Sequence, residues 1–220
     1  MTEIYLGNIS IREPMTAGTD VVVAVQCFYY FYLLRRQPVS RELHWMSLYI
    51  LVMGFATLTA GLIGHAFLHL LSFEWKMIGW VLSSLAVLMF QLGSIEACRS
   101  LVPPQRSQWL AWSSYLFLGL LLVVLAMPLT RDFGYVKLYA ALGLLSLVLP
   151  LQWYSYRMEG HPARPWIIGS VLFGIVPGIT ITLELGFHTW FNHHDLAHVL
   201  MGIDMWIAYQ GVKRLALAEA

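Results

Sequence analysis

Long apolar stretches separated by short polar segments are the feature of this chain that most limits its possible folds. An α-helix rises 1.5 Å per residue, so about 20 apolar residues cross the roughly 30 Å hydrocarbon core of a bilayer. The chain is 59% hydrophobic and 11% charged, whereas about a quarter of a soluble domain is charged. The sequence therefore predicts an all-α integral membrane protein, one domain over residues 1–220. Its predicted seven-transmembrane helix bundle has spans at residues 15–34, 44–71, 77–98, 109–127, 135–154, 166–187 and 195–212.

The distribution of basic residues predicts the orientation of the bundle. Cytoplasmic loops of membrane proteins are enriched in lysine and arginine. One side of the predicted topology carries most of these residues and also the C-terminus, so we expect a cytoplasmic C-terminus and an extracytoplasmic N-terminus. Those on the predicted cytoplasmic side are Arg35, Arg36, Arg41, Arg99, Arg106, Arg157, Arg164, Lys213 and Arg214. Those on the other side are Arg12, Lys76, Arg131 and Lys137.

The low net charge limits the classes of partner. At pH 7 the formal net charge is +1, which provides no extended positive field for nucleic acid. We expect no nucleic-acid partner, and we expect membrane lipids as the surroundings and as the substrate. The sequence leaves the oligomeric state open.

Histidines gather at the predicted outer ends of two spans. His65 and His69 lie late in the second span, and His194 and His198 begin the seventh. With the predicted orientation, both ends lie at similar depth, within roughly 10 Å of the outer boundary. Ionisable residues inside a membrane usually mark a functional site.

The spacing of these histidines predicts a metal centre. His194 and His198 are four residues apart and share a helix face, as do histidine pairs that bind one metal ion. Zinc commonly takes three protein ligands and a water at catalytic sites. We expect Zn²⁺ held by His65, His194 and His198, with His69 as the alternative to His65. The other interpretation of the pair is two interfacial side chains that reach the headgroups.

Carboxylates near the same end have predicted roles. Asp20, in the outer part of the first span, could orient an imidazole or act as a base on metal-bound water, or it could stabilise its helix dipole. Asp195 fits the dipole role on the seventh span and is a further candidate for the surroundings of the metal. Glu184 and His188, four residues apart at the end of the sixth span, could line the same cavity. Asp204, in the middle of the seventh span, has no assigned partner.

Two short segments carry a family resemblance. Gly64-His65-Ala66-Phe67 in the second span and the run from His194 to Leu200 in the seventh resemble the alkaline ceramidase and adiponectin-receptor superfamily (CREST-type). The resemblance, that of a divergent member, implies a zinc-dependent integral membrane hydrolase with His65, His194 and His198 as ligands. It implies hydrolysis of a lipid amide or ester bond.

Two positions depart from the family pattern. The family has a serine one turn before the second-helix histidine, where this chain has Gly61, and an aspartate early in the third helix, where residues 77–91 contain no acid. Asp20 or Glu74 could supply the catalytic carboxylate, although Glu74 could equally be a solvated loop acid. The alternatives to a hydrolase are a non-enzymatic zinc-binding receptor or sensor and a bis-histidine haem protein.

Overall fold

The computed structural model describes residues 2–37, 40–102, 104–126 and 130–219, and these are predominantly helical. The helices are α1 (Pro14–Leu34), α2 (Arg41–Thr59), α3 (Glu74–Arg99), α4 (Pro104–Ala126), α5 (Gly134–Gly143), α6 (Leu149–Glu159), α7 (Arg164–Phe173), α8 (Ile175–Thr182) and α9 (His193–Glu219). A π-helical segment, Ala60–Ala66, continues α2, and another, Leu144–Val148, joins α5 to α6.

Five helical segments of the described chain are long and apolar enough to cross a membrane. They are Pro14–Leu34, Arg41–Ala66, Glu74–Arg99, Gly134–Glu159 and Arg164–Thr182. The predicted all-helical class is thereby confirmed, together with several helices long and apolar enough to cross a membrane. Helix α9 is long enough to span but contains His194, Asp195, His198 and Asp204, whose polarity lowers its mean hydropathy.

The expected end of the sixth span is wrong by five residues. Helix α8 ends at Thr182 rather than at residue 187, because Glu184 adopts a left-handed backbone conformation with φ of 52°. The same span is interrupted at Gly174, between α7 and α8. Pro177 follows one turn later and has no N–H to donate to the carbonyl four residues before it. Met127, the expected end of the fourth span, lies outside the described residues.

A β-hairpin precedes α1, where no secondary structure was expected. Strands β1 (Glu3–Leu6) and β2 (Ile9–Arg12) pair antiparallel, with Glu3 opposite Arg12 and Leu6 opposite Ile9. Gly7 adopts φ of 63° at the turn, a conformation that glycine enters without steric cost. The Gly7-Asn8 pair between alternating apolar residues is the signal that predicts this hairpin.

Helix α1 packs between α2 and α9, and these helices surround most of the core. Helix α9 also packs against α7 and α8, while α3 packs against α2 on one side and α4, α5 and α6 on the other. Fully buried side chains from four helices meet at the centre, namely Cys27, Met46, Ile50, Ile167 and Met205. This packing brings the end of α2, the beginning of α9 and the first turns of α1 together at one end of the bundle.

A buried ion pair joins helices at the opposite end of α2. Arg164, only 3% exposed, donates through both terminal nitrogens to the carboxylate of Glu42 in the first turn of α2. It also donates to Oε1 of Gln152, whose amide nitrogen donates to Ser94 Oγ. One polar network therefore holds α2, α3, α6 and α7 together at the end of α2 opposite His65.

Candidate metal centre

Three side chains from three helical segments converge beyond the end of α2. Asp20 comes from α1, His65 from the π-helical segment and His198 from α9, and one donor atom of each lies within 4.8 Å of the other two. Asp20 Oδ1 is 3.4 Å from His198 Nε2, and Asp20 Oδ2 is 3.9 Å from His65 Nε2. Tetrahedral zinc ligands at about 2.0 Å are separated by roughly 3.3 Å, so this spacing is close to that of a zinc centre.

Gly61 allows Asp20 to reach the histidines. A Cβ at Gly61 would lie 2.8 Å from Asp20 Cβ and 2.9 Å from the Ala17 carbonyl oxygen. The backbones of α1 and the π-helical segment are therefore in close contact at this glycine, as only a residue without a side chain permits. Single-turn π-helical segments occur frequently at functional sites, and this one carries both Gly61 and His65.

A carboxylate fixes the orientation of the His65 ring. His65 Nδ1 lies 2.6 Å from Glu13 Oε2, and the hydrogen bond from His65 is the main cause that lowers the pKa of Glu13 below its ordinary value of 4.5. With Nδ1 donating to Glu13, the other ring nitrogen, Nε2, faces Asp20. A carboxylate on the second nitrogen of a metal-binding imidazole is a recurrent arrangement. Glu13 itself adopts a left-handed conformation, with φ of 44°.

The hydroxyl group of Thr19 fixes the orientation of the His198 ring. Thr19 Oγ1 donates to the carbonyl of Thr16 at 3.0 Å and lies 3.1 Å from His198 Nδ1. Since the single hydroxyl proton is engaged, Thr19 accepts a hydrogen bond from His198 Nδ1. The other ring nitrogen, Nε2, faces Asp20, as in His65.

A buried carboxylate and two imidazole nitrogens converge here. Asp20 is 1% exposed, and its Oδ2 has no hydrogen-bond partner among the described residues. A metal ion or a proton shared between these groups would satisfy them. The donor set of two nitrogens and one oxygen fits zinc. A haem fits less well, because the Asp20 carboxylate lies within 4 Å of both Nε2 atoms.

His194 is not one of the three residues whose donor atoms lie within 4.8 Å of one another. Its ring is nonetheless close, with its centroid 5.7 Å from that of His65 and 4.2 Å from that of His193. Together with Asp20, Lys76 and His198, it forms the polar end of a cavity of about 330 Å³ bounded by α2, α3, α8 and α9. The cavity is otherwise largely apolar, with Met53, Trp80, Phe133, Ile181 and Met201 in its wall.

Asn192 and Asp195 cap α9 and so position His194 and His198. The Oδ2 of Asp195 accepts from the Asn192 backbone N–H at 2.7 Å, and Asn192 Oδ1 accepts from the His194 N–H at 2.8 Å. Asn192 is thus the N-cap residue, and Asp195 in the first turn bonds back to it. The carboxylate also lies at the positive end of the helix dipole.

The other predicted candidates lie outside the cluster. His69 Nε2 is bonded to Ser10 Oγ of the hairpin at 2.7 Å. Glu74 is exposed and pairs with Arg131 at 2.6 Å. Glu184 and His188 are exposed in the loop between α8 and α9, because α8 ends at Thr182, before both of them.

The sequence analysis missed three residues of this site and left one carboxylate without a partner. Glu13 and Thr19 hold the two imidazoles, and Lys76 lies in the cavity, yet no local pattern marks any of them as functional. Asp204 has a partner on the preceding helical segment, because Ser170 Oγ donates to Asp204 Oδ1 at 2.7 Å.

Comparison with known proteins gives a family without an assigned activity. Residues 15–217 match the family of unknown function DUF6962, and the chain belongs to this family. No curated protein and no solved structure matches the chain. The chemistry must therefore be argued from the site itself.

Proposed function

We propose that this protein is a zinc-dependent integral membrane hydrolase that cleaves an amide or ester bond of a lipid. The observation that carries the proposal is the convergence of Asp20, His65 and His198, with Asp20 Oδ2 buried and without a hydrogen-bond partner among the described residues. The likeness to the alkaline ceramidase and adiponectin-receptor superfamily supports the same chemistry. In this proposal α4 and α9 complete seven spans, and the metal centre lies near the extracytoplasmic face.

The residues of the site have complementary roles in this proposal. Asp20, His65 and His198 hold the metal, while Glu13 and Thr19 keep both imidazoles in the tautomer that binds it. A bound zinc ion supplies an activated water and polarises a carbonyl oxygen. His194 faces the cavity beside His65 and is positioned to take up and return the proton that hydrolysis requires.

The cavity beside the metal centre and a separate groove provide space for an acyl lipid. The groove, of about 370 Å³, runs between α1 and α9 and is lined by Thr19, Val22, His198, Ile203 and Trp206 among others. Val22 and Trp206 are exposed on the outside of the bundle. A lipid could therefore enter sideways from the bilayer and reach His198 without passing through water.

Metal content and turnover together test the proposal. Purified wild-type protein in detergent is expected to contain one zinc per chain, and His65→Ala and His198→Ala are expected to lose it. The wild type is expected to hydrolyse an N-acyl or acyl-ester lipid, and a chelator is expected to stop the reaction. Protein without zinc would refute the metal centre. Stoichiometric zinc without turnover on any amide or ester lipid would favour the receptor or sensor alternative.

The third protein ligand is a separate question with its own variants. The structure favours Asp20, whereas the family resemblance implies His194. If Asp20 is the ligand, Asp20→Asn loses zinc and His194→Ala keeps zinc but loses turnover. The opposite pattern would restore the three-histidine centre, with Asp20 as the base.

The proposed orientation has an independent test. An extracytoplasmic N-terminus and a cytoplasmic C-terminus predict that a reporter enzyme active only outside the cytoplasm works when fused to the N-terminus. The same reporter is expected to be inactive at the C-terminus. Activity at both ends or at the C-terminus alone would contradict the seven-span topology.

A further inference from the structure

Lys76 places a positive charge at the polar end of an otherwise apolar cavity. It lies in the first turns of α3 and shares the cavity wall with Asp20, His194 and His198. A Cβ at Gly64 would lie 3.7 Å from Lys76 Cγ. The aliphatic part of the lysine therefore packs against the π-helical segment one residue before His65.

The described residues contain no counterion for this ammonium group. No hydrogen bond or ion pair joins Lys76 to any of them, and two acidic neighbours, Glu13 and Glu74, have other partners. Glu13 is bonded to His65, and Glu74 is paired with Arg131. The charge of Lys76 acts on Glu13 only at a distance, since it lowers the pKa of Glu13 less than the hydrogen bond from His65 does.

None of the carboxylates described at the centre is bonded to Lys76. Glu13 is bonded to His65, Asp20 faces His65 and His198, and Asp195 accepts from the Asn192 N–H. The ammonium group of Lys76 therefore has no direct bond to a described acid of the site. In a cavity with apolar walls such a charge interacts strongly with an anion, because little water screens it.

We propose that Lys76 binds a carboxylate or phosphate of the lipid substrate, so that the protein selects anionic acyl lipids over neutral ones. This inference rests on the proposed lipid hydrolase. The acyl chain would lie along the apolar wall formed by Trp80, Phe133 and Ile181. The anionic group would lie within reach of both Lys76 and the metal centre.

Two pairs of lipids, matched except for charge, test the selection. N-oleoylglycine is compared with N-oleoylethanolamine, and 1-oleoylglycerol 3-phosphate with 1-oleoylglycerol. Equilibrium binding to zinc-loaded protein is measured beside hydrolysis. The wild type is expected to bind the anionic member of at least one pair about tenfold more tightly, and the pair that shows the preference tells carboxylate from phosphate.

Two lysine variants and a charge reversal make the test specific. Lys76→Met keeps the length of the side chain and is expected to abolish the preference, and Lys76→Glu is expected to reverse it. Lys137→Met is the matched control, because Lys137 is exposed and lines a different cavity. Equal binding of charged and neutral lipids by the wild type, or a preference that survives in Lys76→Met, would overturn the inference. A Lys76-dependent preference in binding supports it even if no lipid is hydrolysed, and in that case the proposed hydrolase alone fails.

Discussion

Replacing Gly61 by alanine tests whether the close contact between α1 and the π-helical segment builds the metal centre. The added Cβ would lie 2.8 Å from Asp20 Cβ, whereas ordinary contacts begin at 3.4 Å, so the two atoms must separate by about 0.6 Å. The second close atom is the Ala17 carbonyl oxygen, at 2.9 Å. Because that atom belongs to the backbone, a change of rotamer cannot relieve the contact and α1 itself must move.

The size of this displacement sets the expected loss of metal affinity. Metal–ligand distances are fixed to about 0.2 Å, so a displacement of about 0.6 Å takes Asp20 out of ligand range. We expect Gly61→Ala to bind zinc at least 10–100-fold more weakly, the range associated with disturbed supporting residues of metal sites. Overpacking is expected to lower the free energy of unfolding by about 1–3 kcal/mol.

A competition titration with a zinc-binding fluorophore in detergent measures the affinity, and circular dichroism shows whether the helices are retained. Gly18→Ala is the matched control, because Gly18 lies on α1, the helix that Gly61 contacts, and a Cβ at Gly18 would meet nothing within 4 Å. Gly18→Ala is expected to bind zinc as the wild type does. A folded Gly61→Ala protein with wild-type affinity would show that the approach of α1 is irrelevant to the centre. Asp20→Asn, which leaves the helix contact intact, tests the same ligand independently.

Three further variants probe the groups that support the site. Glu13→Gln removes the charge that holds His65 Nδ1, and we expect zinc affinity to fall about 10–100-fold in the same titration; unchanged affinity would refute this role. Thr19→Val removes a neutral hydrogen bond to His198, so a smaller loss, up to about tenfold, is expected; a loss as large as that of Glu13→Gln would contradict the assignment. Asp195→Ala removes the bond to the Asn192 N–H and the negative charge at the start of α9 and is expected to cost about 0.3–2 kcal/mol of stability, measured by thermal unfolding; an unchanged midpoint would show that this carboxylate is dispensable for α9.

The sequence predicts the helical scaffold well because its signals are local. Apolar stretches and helix-breaking residues are properties of neighbouring positions, and the first span is correct to one residue. The error at the end of the sixth span arises because Leu183, Leu185 and Phe187 are apolar yet exposed in a loop. Hydropathy reports composition and cannot report the left-handed turn at Glu184.

The sequence predicts some residues of the candidate site but not how they meet, because local patterns do not report the distance between helices. His65 and His198 follow from spacing and topology, since both lie at helix ends that a bundle brings together. The contribution of Asp20 depends instead on how closely α1 approaches a neighbouring segment. That approach is decided by Gly61, which is 41 residues away in the chain.

The glycine and the aspartate are best understood as one feature of the structure. A serine at position 61 would place side-chain atoms where Asp20 Cβ and the Ala17 carbonyl now lie. The glycine therefore admits α1, and α1 supplies the carboxylate. Gly61→Ser should consequently disturb the centre at least as much as Gly61→Ala, because it adds a larger side chain at the same contact. A Gly61→Ser protein with improved turnover and full zinc content would mean instead that Asp20 is not part of the centre.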